Sequence, residues 1–240
     1  MLKAEDLELQ YGLREALRGV SFQLSREEIR SLLGPNGAGK TTAFNLLSGV
    51  DRPKSGRIYL DGKDITSLPI NQRARMGLNY LLQKPSLFRQ MTIKENIRVM
   101  FNDKSKGEKT EKTAKEILKK LDIEELELKK SGELSAGQRR KAEIARSLAT
   151  FPTFLLLDEP FSGLDPISVT DLKVIIRDLK TKEGLGVMIT DHKVGDTLQI
   201  ADYNYLLKDG VIISEGNQEE ILKDEKARSS YLGEGFKLGV

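Results

Sequence analysis

The stretch Gly34-Pro35-Asn36-Gly37-Ala38-Gly39-Lys40-Thr41 has the spacing G-x-x-x-x-G-K-[ST]. That pattern suits the holding of a polyphosphate. Glycines let backbone N–H groups turn inward around phosphate oxygens. A helix that starts where the loop ends adds free donors and the positive end of its dipole. Gly34, Asn36, Gly37, Ala38 and Gly39 are therefore expected to bind through the loop. Lys40 is expected to reach the β- and γ-phosphates, Thr41 to place its hydroxyl on Mg²⁺, and Thr42 to help at the α-phosphate.

A second chemical cluster lies far along the chain. Phe154-Leu155-Leu156-Leu157-Asp158-Glu159 sets two carboxylates at the C-terminal end of an apolar strand. Open α/β sheets bind ligands at that edge. Adjacent strand residues point opposite ways, so the two acids are expected to take different tasks. Asp158 would hold Mg²⁺ through water, and Glu159 would polarise an attacking water. His192, the only histidine, follows Ile189-Thr190-Asp191 at the end of another apolar strand. An imidazole there is placed to hydrogen-bond a γ-phosphate. Gln83, in Leu81-Leu82-Gln83-Lys84-Pro85, offers its amide to Mg²⁺, water or phosphate, and is equally readable as a surface residue. Tyr11, beside Gly12, is either a packing residue or a stacking platform for a base.

These groups need strands that end together. Residues 2–33 read as strands, Thr41 to Leu47 as a helix, and 57–61 and 77–82 as further strands. Phe154 to Leu157 and Val187 to Ile189 are short and wholly apolar, as central parallel strands buried on both faces are. Helical patterns separate them, which predicts an α/β sheet. From Thr92 to about Ala149 the pattern is mostly helical, with Ala114, Ile117, Leu118 and Leu121 forming one apolar stripe. The charged run Asp103 to Lys115 reads as a solvated face. The expected organisation is one domain over 1–240. An α/β core with a β-subdomain takes 1–86 and 151–225, a helical insertion 87–150, and a tail 226–240.

Composition narrows the partners. The 240 residues carry 39 Lys+Arg against 36 Asp+Glu, a net charge of +3. So small an excess argues against a nucleic-acid partner. There is no cysteine, which excludes disulfides, thiolate metal sites and a cysteine nucleophile. Met1-Leu2-Lys3-Ala4-Glu5-Asp6 lacks the apolar core of a secretory signal. No run approaches the roughly 20 apolar residues that cross a bilayer. A cytoplasmic chain is expected, with any membrane part supplied by another polypeptide.

Taken in order, Tyr11, the loop 34–41, Gln83, Leu134-Ser135-Ala136-Gly137-Gln138, the strand ending in Asp158-Glu159, Ser162-Gly163-Leu164-Asp165 and His192 resemble the motifs of an ATP-binding-cassette (ABC) ATPase domain. The resemblance covers essentially the whole chain. It implies an A-loop at Tyr11, Walker A at 34–41, a Q-loop at Gln83, a signature at 134–138, Walker B at 154–158, a catalytic Glu159, a D-loop at 162–165 and a switch at His192. It implies an α/β, P-loop NTPase fold, with a RecA-like core, an antiparallel β-subdomain and a helical ABC subdomain. The implied ligands are ATP and Mg²⁺, and the implied reaction is ATP hydrolysis. The implied partners are a second copy of the chain and integral-membrane transporter subunits. In the ATP-sandwich dimer Ser135, Gly137 and Gln138 of one copy complete the site of the other. Phe88 and Arg89 are expected at the membrane-subunit groove, the plain alternative being a core Phe88 and a solvated Arg89. A peripheral place on the cytoplasmic face of the inner membrane follows.

Four further stretches are similar to the ATPases of lipopolysaccharide export: 68–77, Pro85-Ser86-Leu87-Phe88-Arg89, Asp165-Pro166-Ile167-Ser168-Val169, and Tyr231-Leu232-Gly233-Glu234-Gly235-Phe236. ATPases of branched-chain amino-acid importers share the Tyr-Leu-Gly-Glu tail and give the alternative. Ala136 stands where a second glycine is usual, and its methyl either crowds the nucleotide or is harmless if φ stays negative. Leu82 and Lys84 depart from the usual proline and acid around the Q-loop glutamine. A non-transport ABC ATPase would usually carry coiled coils or a second cassette. A GTPase would carry an Asn-Lys-x-Asp motif, and the chain has none.

Overall fold

In the computed structural model the described residues are 1–101, 108–233, 235, 236 and 238. Asp103 to Gly107, the first part of the charged run expected to be solvated, lie outside them. So do 234, 237, 239 and 240 of the tail.

Two sheets carry the chain. β1 (Leu2–Tyr11), β2 (Arg14–Leu24), β4 (Ser55–Leu60) and β5 (Lys63–Asp64) form an antiparallel sheet in the order β2-β1-β4-β5. β3 (Ile29–Leu33), β6 (Leu78–Leu81), β7 (Phe154–Asp158), β8 (Gly186–Thr190), β9 (Tyr203–Lys208) and β10 (Val211–Gly216) form the second, in the order β10-β9-β3-β8-β7-β6. Its strands are parallel except at the β9–β10 hairpin. Every residue of β3, β7 and β8 is buried; the apolar runs of β7 and β8 suit that place, and Ser31 within β3 is satisfied by donating to Asn204 Oδ1 at 2.6 Å. The 57–61 and 77–82 expectations hold with shifted ends. Residues 203–216 carry a hairpin with no counterpart in the expected elements.

Alternation along the central strands feeds two cores. Leu155, Leu157, Val187 and Ile189 pack with the helical region, through Ile93, Ile97, Ile117, Leu118 and Ile144. Phe154, Leu156 and Met188 pack on the other face with Leu2, Leu7, Phe22, Phe44 and Ile58. The period of two along each strand thus binds the helical and antiparallel parts to one sheet. The helices are α1 (Lys40–Ser48), α2 (Ile70–Arg75), α3 (Ile93–Arg98), α4 (Glu108–Lys120), α5 (Ala136–Leu148), α6 (Pro166–Thr181), α7 (Val194–Leu198), α8 (Gln218–Lys223) and α9 (Glu225–Ala227). The stripe Ala114, Ile117, Leu118 and Leu121 is buried as expected. Among the described residues no helix is long and apolar enough to cross a membrane.

One buried cation fixes α1. Arg73 is fully buried, and its guanidinium donates to four backbone carbonyls: Leu46 at 2.6 Å, Leu47 at 2.7 Å, Leu68 at 2.8 Å and Thr66 at 2.9 Å. Leu46 and Leu47 lie in the last turn of α1, where carbonyls lack helical partners and the dipole favours a cation. Burial, with Arg52 nearby, pushes the guanidinium down to about 10, so it stays charged at neutral pH. Arg73→Met strands those acceptors, at about 1–3 kcal/mol for each one left unpaired. Allowing for rearrangement, a net loss of about 3 kcal/mol, or roughly 6–12 °C in Tm, is expected in thermal unfolding.

Candidate active site

The phosphate loop joins β3 to α1. Gly34, Gly37 and Gly39 have φ of 149°, 78° and 112°. A Cβ on Gly34 would lie 2.0 Å from the Leu207 carbonyl oxygen, and one on Gly39 2.6 Å from that of Ala16. Backbone conformation and close approach of β9 and β2 both require glycine there. No side chain caps the start of α1, which leaves its first-turn N–H groups for an anion. Lys40 is only 6% exposed. Its Nζ donates to the carbonyls of Gly34 at 2.7 Å and Pro35 at 3.0 Å. Burial pushes the ammonium below the ordinary lysine value, while Glu159, Asp158 and Asp191 pull it back up.

A cavity of about 310 Å³ opens above this loop. It brings together Tyr11, Asn36, Gly37, Gly39, Lys40, Thr41, Thr42, Glu159 and His192. Ala38 does not line it: its side chain is in the core and its N–H donates to Pro35 at 3.2 Å. Gly34 reaches the site only through its carbonyl on Lys40. The Tyr11 hydroxyl donates to Asp51 at 2.5 Å, which fixes a ring that is 49% exposed. Burial, then Asp51, pushes this phenol up.

Arg14 and Ala16 also line the cavity and escaped the sequence reading. Arg14 faces Tyr11 across the β1–β2 pairing, and its Nη2 donates to the Gly37 carbonyl at 2.9 Å. Only strand register reveals that neighbour.

The acidic edge is divided by backbone conformation. Asp158 ends β7, is 2% exposed and accepts from the Tyr80 hydroxyl at 2.9 Å. Burial pushes its carboxyl up. Glu159 lies just past the strand, in the left-handed region at φ 47°, a strained conformation for a side-chain-bearing residue. Its N–H donates to the Thr190 carbonyl at 2.7 Å. Simple strand alternation is therefore not what separates the two acids. Glu159 Oε1 lies 2.5 Å from His192 Nε2, and Oε2 accepts from Gln83 Nε2 at 2.6 Å. Three distant segments thus meet on one carboxylate. Asp191, beside His192, is fully buried. The strand-end rule that picks out Asp158 would also have found it.

Residues 134–138 lie elsewhere. Ser135 caps α5, accepting from Gln138 N at 3.2 Å, while its own N–H donates to Gln138 Oε1 at 3.1 Å. This reciprocal pair is a capping box. A Cβ on Gly137 would lie 2.5 Å from Ser168 Oγ of α6. Ala136 is exposed and already helical, so its methyl is unstrained. Ser135, Gly137 and Gln138 do not line their own chain's cavity.

Polar bonds from α5 instead hold the Gln83 loop. Arg140 donates to Leu82 O at 3.1 Å and Asp158 O at 2.9 Å, Glu143 accepts from Ser86 N at 3.0 Å, and Arg146 donates to Ser86 O at 2.6 Å.

Among the described residues no group of three or more His, Cys, Asp or Glu side chains could hold a metal. Mg²⁺ needs less, since one or two carboxylates with substrate phosphates suffice. The buried Asp158 carboxylate, acting on Lys40 beside Thr41, fits that hard-oxygen donor set.

A family model described as ABC transporter matches residues 17–162. The chain is 45% identical, over 240 residues and 99% of both chains, to the lipopolysaccharide export system ATP-binding protein LptB of Acidithiobacillus ferridurans. It superposes at TM-score 0.89 and 32% identity on the ADP conformation of an ATP-binding cassette of an ABC transporter, covering 98% of this chain and 99% of that one. A dimeric bacterial ABC transporter cassette matches at TM-score 0.81 and 26% identity, over 91% of this chain and 99% of that one. An uncapped glycine loop, a carboxylate held between glutamine and histidine, and this likeness over the full length agree: the chain belongs to the ABC transporter family, as an ATP-binding subunit that hydrolyses ATP.

Proposed function

We propose that this subunit powers lipopolysaccharide export, as two copies that close on ATP beneath membrane-embedded partners, on the cytoplasmic face of the inner membrane. The likeness to LptB over 99% of both chains supports the cargo class. The observation that carries the catalytic reading is Glu159, held by Gln83 and His192 at the wall of the phosphate-loop cavity.

In this reading Tyr11 stacks on adenine. Asn36, Gly37, Gly39 and Thr42 hold the phosphates, and Lys40 offsets the β- and γ-phosphate charge. Thr41, Asp158 and Gln83 hold Mg²⁺, which when bound neutralises charge between those phosphates. Glu159 orients and polarises water, and His192, sharing its carboxylate, turns to the γ-phosphate. A general base of this kind contributes roughly 10²–10⁴ in rate.

Ser135, Gly137 and Gln138 sit outside their own cavity at the start of α5, a position suited to a second copy's γ-phosphate. The likeness to a dimeric cassette supports this arrangement.

Membrane subunits are placed at Phe88 and Arg89. Phe88 is 53% exposed, yet its backbone is clamped by buried Asn96, which accepts from Phe88 N at 2.8 Å and donates to Phe88 O at 3.1 Å. Arg146 lies 5.9 Å over its ring. Aromatic side chains, Phe among them, are enriched at the cores of protein–protein interfaces.

Three outcomes are expected. Glu159→Gln binds ATP-Mg²⁺, dimerises in light scattering and turns over at least about 100-fold more slowly; a monomer at saturating ATP would refute the sandwich. Ser135→Arg abolishes hydrolysis while a fluorescent ATP analogue still binds. Phe88→Ala keeps the isolated subunit's turnover within about twofold but loses co-purification with the membrane subunits.

A further inference from the structure

The four residues that end and follow β8 each hold the turn that follows β7. The Thr190 carbonyl accepts from Glu159 N at 2.7 Å. Asp191 accepts on Oδ2 from Phe161 N at 2.7 Å and on Oδ1 from Lys193 N at 2.9 Å. His192 meets Glu159. Lys193 Nζ donates to the Leu164 carbonyl at 3.0 Å. The turn then runs into Asp165, whose carboxylate accepts from Ser168 N at 3.0 Å to cap α6. Ser168 is the residue against which Gly137 packs.

Asp191 is fully buried and has both oxygens on backbone N–H groups, one on each side of the contact. It cannot move with one segment and leave the other without stranding a buried donor. The Lys193 ammonium makes a charge-assisted bond to a carbonyl three residues further along the turn. Neither residue lines the nucleotide cavity.

We infer that Asp191 and Lys193 are positioning residues that lock the turn 161–164 to His192. Movement of His192 with the γ-phosphate then passes directly to Ser162-Gly163-Leu164-Asp165 and to the start of α6. This rests on the proposed reading that His192 meets the γ-phosphate and that the turn faces a second copy. The lock makes nucleotide state and dimer surface one mechanical unit.

Lys193→Met removes the donor and keeps most of the stem, whereas Lys193→Arg keeps a donor. In the otherwise native protein, Lys193→Met is expected to lower kcat about tenfold with KM for ATP within about twofold, and Lys193→Arg to restore most of kcat. In the Glu159→Gln background, Lys193→Met should raise the ATP concentration for half-maximal dimerisation by about fivefold or more. An unchanged kcat would overturn the inference, and so would a loss that appears equally in KM or that arginine fails to restore. If Glu159→Gln alone never dimerises, the sandwich reading fails. The kcat comparison of the methionine and arginine variants still decides the lock.

Discussion

One buried ammonium organises the strand ends. Desolvation disfavours the Lys40 cation, and Glu159, Asp158 and Asp191 favour it. Lys40 shares with Arg140 the task of offsetting the mutual repulsion of acids gathered at one edge. Parallel topology brings them there. β3, β8 and β7 are neighbours running the same way, so their ends deliver Gly34, Asp191 and Asp158 together. The same edge would be a poor place for three carboxylates without the cation, and a poor place for a polyphosphate without the glycine loop.

Around that edge, side chains of α5 tie two loops through their backbone. Arg140 reaches Leu82 and Asp158 through their carbonyls, and Glu143 takes the Ser86 N–H. Arg140 and Glu143 also pair with each other at 3.0 Å while both are buried. A buried pair is costly to desolvate and returns that cost only when its remaining donors and acceptors are filled. Here Nη1 and Nη2 of Arg140 and the Glu143 carboxylate find partners on two loops of the active site, while Arg140 Nε stays buried without one, so α5 cannot shift without moving the Gln83 loop. Glu159 adds local strain, held in the left-handed region by the Thr190 carbonyl and by contacts on both carboxylate oxygens.

Much of the site was legible in the chain because its parts are local. A glycine loop needs consecutive residues, and the two strand-end acids need only an apolar run before them. The stripe from Ala114 to Leu121 and the buried strands 154–157 and 187–189 follow from period alone. What escaped was pairing. Arg14 beside Tyr11, Tyr80 on Asp158, and Lys193 on Leu164 depend on register and on which strand ends meet. Gln83, equally readable as a surface residue from the sequence, gained weight when it proved to share the Glu159 carboxylate with His192.

The stretch 134–138 divides the two kinds of knowledge most clearly. Ser135 and Gln138 encode a capping box three residues apart, so the sequence by itself determines that a helix begins there. It also determines the phosphate loop and the order of the acidic strands, because short-range spacing fixes backbone geometry. Tertiary structure alone decided that Gly137 must be small against Ser168, that Ala136 sits exposed in an unstrained helical backbone, and that α5 grips the Gln83 loop. It also decided that Glu159 leaves the strand at φ 47° rather than alternating with Asp158. Those outcomes depend on the distance between segments far apart in the chain, which no local pattern contains.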